Sequence, residues 1–396
     1  MKVIEVKTKK NIAAFYNVAR EVYKKDKTWV CPLEIEIEGI FNPKTNVFFK
    51  NGEAIRWILT DDNGKLLGRV AAFINKNKAF TYNQPTGGMG FYECIDDQNA
   101  AFILFEQCEK WLIEHGMEAM DGPINFSEND NYWGLLVDGF THPGLGMPYN
   151  PPYYKDQFES FGFKFYFEQI TNHVDLSHKI LPDRIFKIAD WIRKKPDYEF
   201  KHLEMKKAGK YIDDFKKVYD DAWQFHENFT PINKEMLLRT LNNAKAIVDE
   251  EFIWFAYHEN EPIAFLIMFP DVNQILKHLN GKLHLFNKLK FLYLKKIHTI
   301  TRARITIMGV APKFQKSGIE SGIFWHLQNV LKKKSWYKEL ELSWVGDFNP
   351  KMRALHESVD GKFAKKHITY RKLFKDDLGF QRSTIIPRDT RERIIN

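Results

Sequence analysis

The chain has 396 residues, of which 44% are hydrophobic and 28% charged, and 59 Lys and Arg stand against 51 Asp and Glu. This is ordinary globular composition with two domains as the first expectation, and the net charge of +8 permits binding of phosphates or anionic surfaces without indicating DNA. The sequence contains no uncharged apolar run long enough to span a membrane, no signal-peptide pattern at its charged N-terminus, and no cysteine spacing typical of a metal site or disulfide framework, which favours a reducing cytoplasm.

Two strands joined by a tight turn are predicted in each half of the chain. They cover 54–60 and 66–75 in the first half, and 251–257 and 262–269 in the second. The turns contain Asn63 and Asn260, a residue type that tolerates the positive φ of such turns. The recurrence indicates that the two halves are related.

A helix and then a strand follow in each half. Asp96 and Asp97 are predicted to cap the first helix, and Gly116 to end it. The second helix is predicted over 319–334, followed by a strand over 339–345 whose apolar and polar residues alternate. Both halves then show Asn-Pro before a helix that ends at a Gly twelve residues after the Asn, at Asn150 and Asn349. The same order of elements in both halves favours a duplicated fold.

The halves differ by insertions at about 125–149 and 271–303. The predicted organisation is a first domain over 1–175, a linker helix over 176–197, a second domain over 198–376 and a loose tail over 377–396. A duplicated fold supplies its own pseudo-dimer interface, so we expect a monomer.

The insertion in the second half contains a basic and strongly apolar segment, 283–297. Two interpretations are open. The segment is either a helix on an anionic membrane or over a lipidic acyl chain, or a helix packed on the sheet with its lysines in water.

The segment 305–320 carries the most specific chemical signal. A strand ends at Val310, and a short loop with Gly318 leads directly into a helix, where backbone N–H groups form a ready anion site. Lys316 adds positive charge. Physical reasoning alone leaves two alternatives, a phosphate-binding loop or an ordinary strand–loop–helix connection.

This segment resembles the acyl-CoA binding motif of the GNAT acyltransferase superfamily. The residues that match in register are Val310, Pro312, Phe314, Gln315, Gly318 and Ile319. The resemblance extends over about 198–374, and the first half looks like a diverged copy without the motif. It implies an α/β (mixed α+β) fold of two tandem GNAT-like domains, each a mixed, mostly antiparallel twisted sheet flanked by helices.

The resemblance also implies acyl-CoA, either acetyl-CoA or a longer thioester, as co-substrate, and no metal. Met308, Gly309 and Val310 would face the acyl-pantetheine arm. The pyrophosphate would lie against Gln315, Lys316, Ser317, Gly318 and Ile319. Glu320 departs from the motif, which usually has Gly or Ala there, and its carboxylate competes with a phosphate for the same amides.

Candidate catalytic residues follow from the same resemblance and from side-chain chemistry. In the superfamily a helix that begins with Asn carries a proton donor seven residues later, which here is His356 after Asn349. Tyr370 on the closing strand is a second candidate acid. Glu341 and Asp347 are candidate bases for the attacking amine.

Acceptor binding is predicted at a polar and aromatic stretch of the first half and at one strand of the second. The residues are Asn125, Asn129, Asp130 and Ser343. Long polar loops on a rigid sheet often carry function, and the alternative is a capped turn.

Three functions remain open from sequence. The first is transfer of an acyl group from acyl-CoA to the amine of a small or lipid-like acceptor in a ternary complex. The second is a Fem-like transferase with an aminoacyl-tRNA donor, although no helical arm for tRNA is visible. The third is a non-catalytic binding or scaffold protein of the same fold.

Overall fold

The computed structural model describes residues 1–126, 132–177, 182–224, 231–375 and 377–385. The strands are β1 Lys2–Glu5, β2 Gly52–Thr60, β3 Leu66–Asn75, β4 Thr86–Cys94, β5 Ala119–Gly122, β6 Leu135–Asp138, β7 Lys164–Asp175, β8 Tyr198–His202, β9 Ile253–His258, β10 Glu261–Pro270, β11 Arg302–Val310, β12 Glu339–Glu341, β13 Val345–Gly346 and β14 Lys362–Leu373.

The helices alternate with these strands along the chain. They are α1 Lys9–Val22, α2 Glu34–Phe41, α3 Lys76–Ala79, α4 Gln98–Glu114, α5 Tyr154–Ser160, α6 Asp183–Ile192, α7 Ala208–Trp223, α8 Lys234–Ala244, α9 Asn273–Leu276, α10 Leu285–Lys296, α11 Ile319–Lys333 and α12 Pro350–Ser358.

Unit 1 of the chain contains Met1–Ile170, Asn273–Leu294 and Lys365–Ser383. Its strands lie in the order β1-β2-β3-β4-β5-β14, with a parallel pairing of β4 and β5 and antiparallel pairing of their neighbours. Helix α4 connects the parallel pair and buries Leu104, Phe105 and Cys108 completely in the core. Apolar side chains spaced along one helix face explain this burial.

Unit 2 contains Thr171–Val272 and Lys295–Ala364. Its strands lie in the order β7-β12-β11-β10-β9-β8, with β11 and β12 parallel and joined through α11. Each unit therefore has one strand–helix–strand crossover in a mostly antiparallel sheet. This arrangement confirms the predicted fold class.

The predicted hairpins form where local sequence placed them. Strand β3 runs over the predicted residues, and Asn260 takes the positive φ of 66° that its turn requires. Asp97 accepts a hydrogen bond from the amide of Ala100 at 2.9 Å and so caps α4, while Gly116 follows the helix with φ of 80°. These features depend on contiguous residues, so periodicity and capping rules were sufficient.

Two predictions of local structure were wrong. The strand expected over 339–345 ends at Glu341, and only Val345 and Gly346 form a further short strand, paired with β7. Asn150 caps no helix, because its side chain bonds the amide and carbonyl of Leu136, and α5 starts at Tyr154. Its counterpart Asn349 does cap α12.

The insertion of the second half forms α9 and α10. Within the described residues, no helix combines the length and apolarity needed to cross a membrane.

Candidate functional site

The end of β11 forms one side of the candidate site in unit 2. Strand β11 pairs with β12 at three positions, the last joining Arg304 to Glu341, because β12 ends there. Strand β11 continues to Val310, still paired along its other edge with β10. In the part of the chain that the structure describes, no strand pairs with the β12 side of β11 beyond Arg304.

The loop after β11 has the backbone geometry expected of a tight turn into a helix. Lys316 and Gly318 take left-handed φ values of 66° and 84°, and Gly318 is the N-cap residue of α11. The Ser317 hydroxyl donates to the Phe314 carbonyl at 2.5 Å, and Nε2 of the Gln315 side chain donates to the Val310 carbonyl at 3.3 Å. These hydrogen bonds hold the loop against the end of β11, so that α11 begins close to the end of this strand.

A cavity of about 410 Å³ lies between the strand end, the loop and α12. This volume falls in the range of roughly 300–1,000 Å³ that is typical of small-molecule and cofactor sites. The lining is mostly apolar with a few polar groups: Ala222, Trp223, Met308, Gly309, Val310, Gln315, Lys316, Glu320, Asn349, Lys351, Met352, Ala354 and Leu355. The structure therefore brings together Met308, Gly309, Val310, Gln315, Lys316 and Asn349 from the sequence prediction.

Three of the predicted cofactor-binding residues do not line the cavity but support the loop and helix that do. Gly318 provides the left-handed backbone of the turn, and the Ser317 hydroxyl forms a hydrogen bond within the loop. Ile319, the first residue of α11, has a fully buried side chain. None of them belongs to the described lining of the cavity.

Lys351 is a cavity residue that sequence reasoning missed. It lies in the first turn of α12, and its Nζ donates to Gln315 Oε1 at 3.0 Å. A lysine at a helix N-terminus opposes the helix dipole, which makes it an unfavourable choice without a nearby anion or acceptor. That mismatch was the signal available in the sequence.

Glu320 faces the same cavity. Burial raises the pKa of its carboxyl above the ordinary value, with a smaller opposing effect from a backbone hydrogen bond. A raised pKa makes the neutral form easier to reach when a phosphate approaches. The conflict expected between Glu320 and a bound pyrophosphate is weakened accordingly.

The structure places Glu341 in a buried ion pair. Its Oε1 lies 3.0 Å from Nε of Arg304, and the two side chains are 2% and 3% exposed. The alternation in the sequence predicts Glu341 on the strand face beside the expected reaction centre, but its side chain is buried. Its carboxylate is the ion-pair partner of Arg304, and Glu341 is not among the residues that line the described cavity.

His356 lies on the buried side of α12, while Asn349, Met352 and Leu355 line the cavity. It is 6% exposed, and burial lowers the pKa of its imidazole to about 4. The ring is therefore neutral at pH 7 and carries no proton suited to protonating a thiolate there.

This burial makes stability depend on pH. The folded-state pKa of His356 lies below the unfolded value of about 6.5, so the unfolded chain binds the extra proton more readily as pH falls from about 6.5 to about 4. We expect the free energy of unfolding to drop by about 3 kcal/mol from this group across that window.

Urea unfolding of the native chain and of His356→Asn at several pH values tests this expectation. The variant should show a shallower dependence on pH but retain part of it, because burial also lowers the pKa of His326 to about 4. Identical slopes for the two proteins would contradict the assignment.

Tyr370 belongs to unit 1, whereas the loop and its cavity belong to unit 2. It is 1% exposed, its hydroxyl donates to Glu159 at 2.9 Å, and its ring packs on Phe158. Burial and the adjacent carboxylate raise the pKa of Tyr370 above its ordinary range. In this position Tyr370 is part of the core of unit 1.

The remaining predicted residues are dispersed. Asp347 and Ser343 are half-buried and are outside the described lining of the unit 2 cavity. Asn125 lines a separate cavity of about 110 Å³ within unit 1, where its Oδ1 is buried and has no hydrogen-bond partner among the described residues. Asn129 and Asp130 lie outside the described residues. No group of three or more His, Cys, Asp or Glu among the described residues is placed to hold a metal ion.

Comparison with solved structures decides the fold. A tandem GNAT protein from the clavulanic acid biosynthesis pathway superposes over 95% of this chain and 99% of its own, with a TM-score of 0.59 and 8% sequence identity. A GCN5-related N-acetyltransferase from Sphaerobacter thermophilus covers 96% and 98%, with a TM-score of 0.53 and 10% identity. The chain has a tandem GNAT fold. The resemblance stated from the motif is confirmed at the level of fold.

Sequence comparison adds a relative of similar length. A protein named bacterial ceramide synthase, from Caulobacter vibrioides, is 29% identical over 380 residues, which are 94% of this chain and 97% of that protein. No family model matches the chain.

Proposed function

We propose that this tandem GNAT chain transfers an acyl group from acyl-CoA to the amine of a lipid-like acceptor, by direct attack in a ternary complex. The observation that carries the proposal is the cavity of unit 2, which is lined by the end of β11, by the loop residues Gln315 and Lys316, and by Glu320 in the first turn of α11. A strand edge and a helix N-terminus offer the two kinds of backbone group that a thioester arm and a pyrophosphate need.

The proposed donor site follows these groups. The strand edge at Met308, Gly309 and Val310, which line the cavity, supports the acyl-pantetheine arm by backbone hydrogen bonds. The loop from Gln315 to Ile319, with the charge of Lys316, holds the pyrophosphate. The apolar walls at Trp223 and Leu355 exclude water from the thioester.

The proposed chemistry is a simple acyl exchange. The amine nitrogen attacks the thioester carbonyl, an amide bond forms, the carbon–sulfur bond breaks, and the sulfur leaves as thiolate. The first turn of α12, with Asn349 and Lys351 on the cavity, stabilises the negative charge that develops on oxygen and sulfur. Asp347, just before that helix, takes the amine proton directly or through water, and solvent returns a proton to the thiolate.

The acceptor class is proposed from the relative of similar length. Its name concerns a ceramide, which chemically is the amide of a long-chain amino alcohol and a fatty acid. A primary amine on a long apolar chain fits the same reaction. Asn125 and Ser343, with Asn129 and Asp130, remain the proposed acceptor-binding residues, and 283–297 is the proposed contact with a lipid surface.

Two measurements on the full chain test the proposal. Calorimetric titration with CoA, acetyl-CoA and a long-chain acyl-CoA should show micromolar binding, tightest for the thioester length that the site accepts. Incubation with that thioester and a long-chain amino alcohol should then release free thiol and form amide in equal amounts, detected by mass spectrometry.

The matched control is the long-chain alcohol without its amine, which should release no thiol above background. Binding of a thioester without transfer to any long-chain amine would overturn the lipid acceptor while leaving the donor site intact. Absence of binding to all three CoA compounds would overturn the proposal as a whole.

A further inference from the structure

Helix α10 presents its large apolar side chains to solvent. The exposed fractions are 69% for Leu285, 78% for Phe286, 56% for Leu289, 59% for Leu292 and 62% for Tyr293. Their spacing of one, four, seven and eight residues from Leu285 places all five on one side of a helix. We call these five residues the α10 face.

The opposite side of α10 packs against the protein. Asn287, Phe291 and Leu294 are half-buried, and Asn287 Nδ2 donates to the carbonyls of Leu279 and Lys282 at 3.0 and 2.8 Å. The orientation of the helix is therefore held by its own contacts. The apolar side of a helix is ordinarily buried, so a helix that exposes this side indicates a binding surface.

The charged side chains of the segment that carries the α10 face have one sign. From Asn273 to Leu294, the part of this insertion that belongs to unit 1, the sequence contains no Asp or Glu, and its lysines are Lys277, Lys282, Lys288 and Lys290. At 100° per residue, Lys288 and Lys290 border the apolar arc on its two sides. An apolar stripe flanked by lysines is the pattern of a helix lying in an anionic lipid interface.

We propose that the α10 face is the docking surface of this protein on an anionic lipid bilayer. The apolar side chains enter the boundary between headgroups and acyl chains, and the flanking lysines meet the phosphates. The twelve residues of α10 are too few to span a bilayer, so the contact is peripheral. The lysines also disfavour a second copy as the occupant, because two such surfaces would bring like charges together and the segment itself contains no acid to pair them.

This inference does not rest on acyl transfer, since the α10 face, Lys288 and Lys290 are outside the described lining of the unit 2 cavity. Of the two interpretations of 283–297 left open by its sequence, the exposure of the α10 face supports the membrane-surface helix.

The test is flotation of the full chain with vesicles of phosphatidylcholine, alone or mixed with phosphatidylglycerol. The native chain should float with the mixed vesicles, much less with neutral ones, and less as salt is raised. The double variant Phe286→Ser and Leu289→Ser should lose about tenfold or more of the bound fraction. Lys288→Glu should lose selectivity for the anionic vesicles.

The matched control is Phe80→Ser with Ile113→Ser, which removes two other apolar side chains of unit 1 that are 59% and 51% exposed. It should float like the native chain. The proposal is overturned by equal flotation of the native chain and the Phe286/Leu289 variant, or by equal binding to neutral and anionic vesicles. It is also overturned if the native chain sediments as a dimer that the same variant dissociates.

Discussion

Gly318→Trp is expected to abolish acyl-CoA binding, with an affinity loss of about a hundredfold or more. Gly318 has φ of 84°, and a Cβ built on it lies 2.4 Å from Cγ2 of Ile188. A side chain there strains the left-handed backbone and also displaces the start of α11. The backbone amides proposed to bind the pyrophosphate would no longer converge. Calorimetric titration with the thioester that binds the native chain measures the loss.

A second glycine separates backbone strain from loss of the site. Gly64, in the turn between β2 and β3, has φ of 82°, and a Cβ there meets nothing within 4 Å. Gly64→Trp imposes the same backbone strain in open space, so it should bind the thioester as the native chain does. Equal affinities for the two tryptophan variants would refute the assignment of the loop.

Glu320 offers a change in the opposite direction. Glu320→Ala removes a carboxylate from the cavity and restores the residue usual in the motif, so it should tighten acyl-CoA binding. Weaker binding in this variant would argue against a phosphate beside the first turn of α11.

Glu341→Ala is expected to lower the free energy of unfolding by about 3–5 kcal/mol. The substitution leaves the Arg304 guanidinium, 3% exposed, as a buried charge without the carboxylate that lies 3.0 Å from it. Desolvation of an uncompensated ion dominates the cost, so replacing both partners is less harmful than replacing one. Arg304→Met with Glu341→Leu should therefore recover most of the stability, as measured by urea unfolding at neutral pH.

An exposed ion pair provides the control. Glu21 near the end of α1 pairs with Lys24 just beyond it at 3.6 Å, with side chains 59% and 71% exposed, and Glu21→Ala should cost less than about 1 kcal/mol. The double variant also tests the predicted role of Glu341 as a base. If it folds stably and still transfers acyl groups, Glu341 is structural, whereas a stable but inactive double variant would assign it to catalysis.

The elements that could be predicted share a dependence on neighbours in sequence. Strand β3 follows from the turn before it, and the cap at Asp97 and the turn at Asn260 follow from residue types that favour particular hydrogen bonds and φ values. The loop after Val310 was found in the same way, because its glycine and the helix it starts are contiguous. A motif of this kind is visible without knowledge of packing.

The candidate site could be predicted only in part. Its strand edge and loop lie on the cavity as expected, but Lys351 was missed and His356 lies on the buried side of α12. The spacing of seven residues between Asn349 and His356 gives the position of His356 along the helix but not the structure that its side chain faces. Which side of a short helix faces a cavity depends on what packs behind it.

The sequence by itself determined the hairpins, the capped helix at Asp97 and the glycine loop, because each depends on residues within a few positions of one another. The duplicated order of elements follows from comparing such local features between the two halves. Only the tertiary structure decided that Lys365–Leu373 of β14 completes unit 1, which places Tyr370 in a different unit from the loop. It also decided that Glu341 pairs with Arg304, 37 positions earlier, and that the apolar side of α10 faces outward. Strand partners, buried charge pairs and exposed faces are set by contacts between segments that are distant in sequence. Local periodicity does not indicate which of these segments will pack against each other.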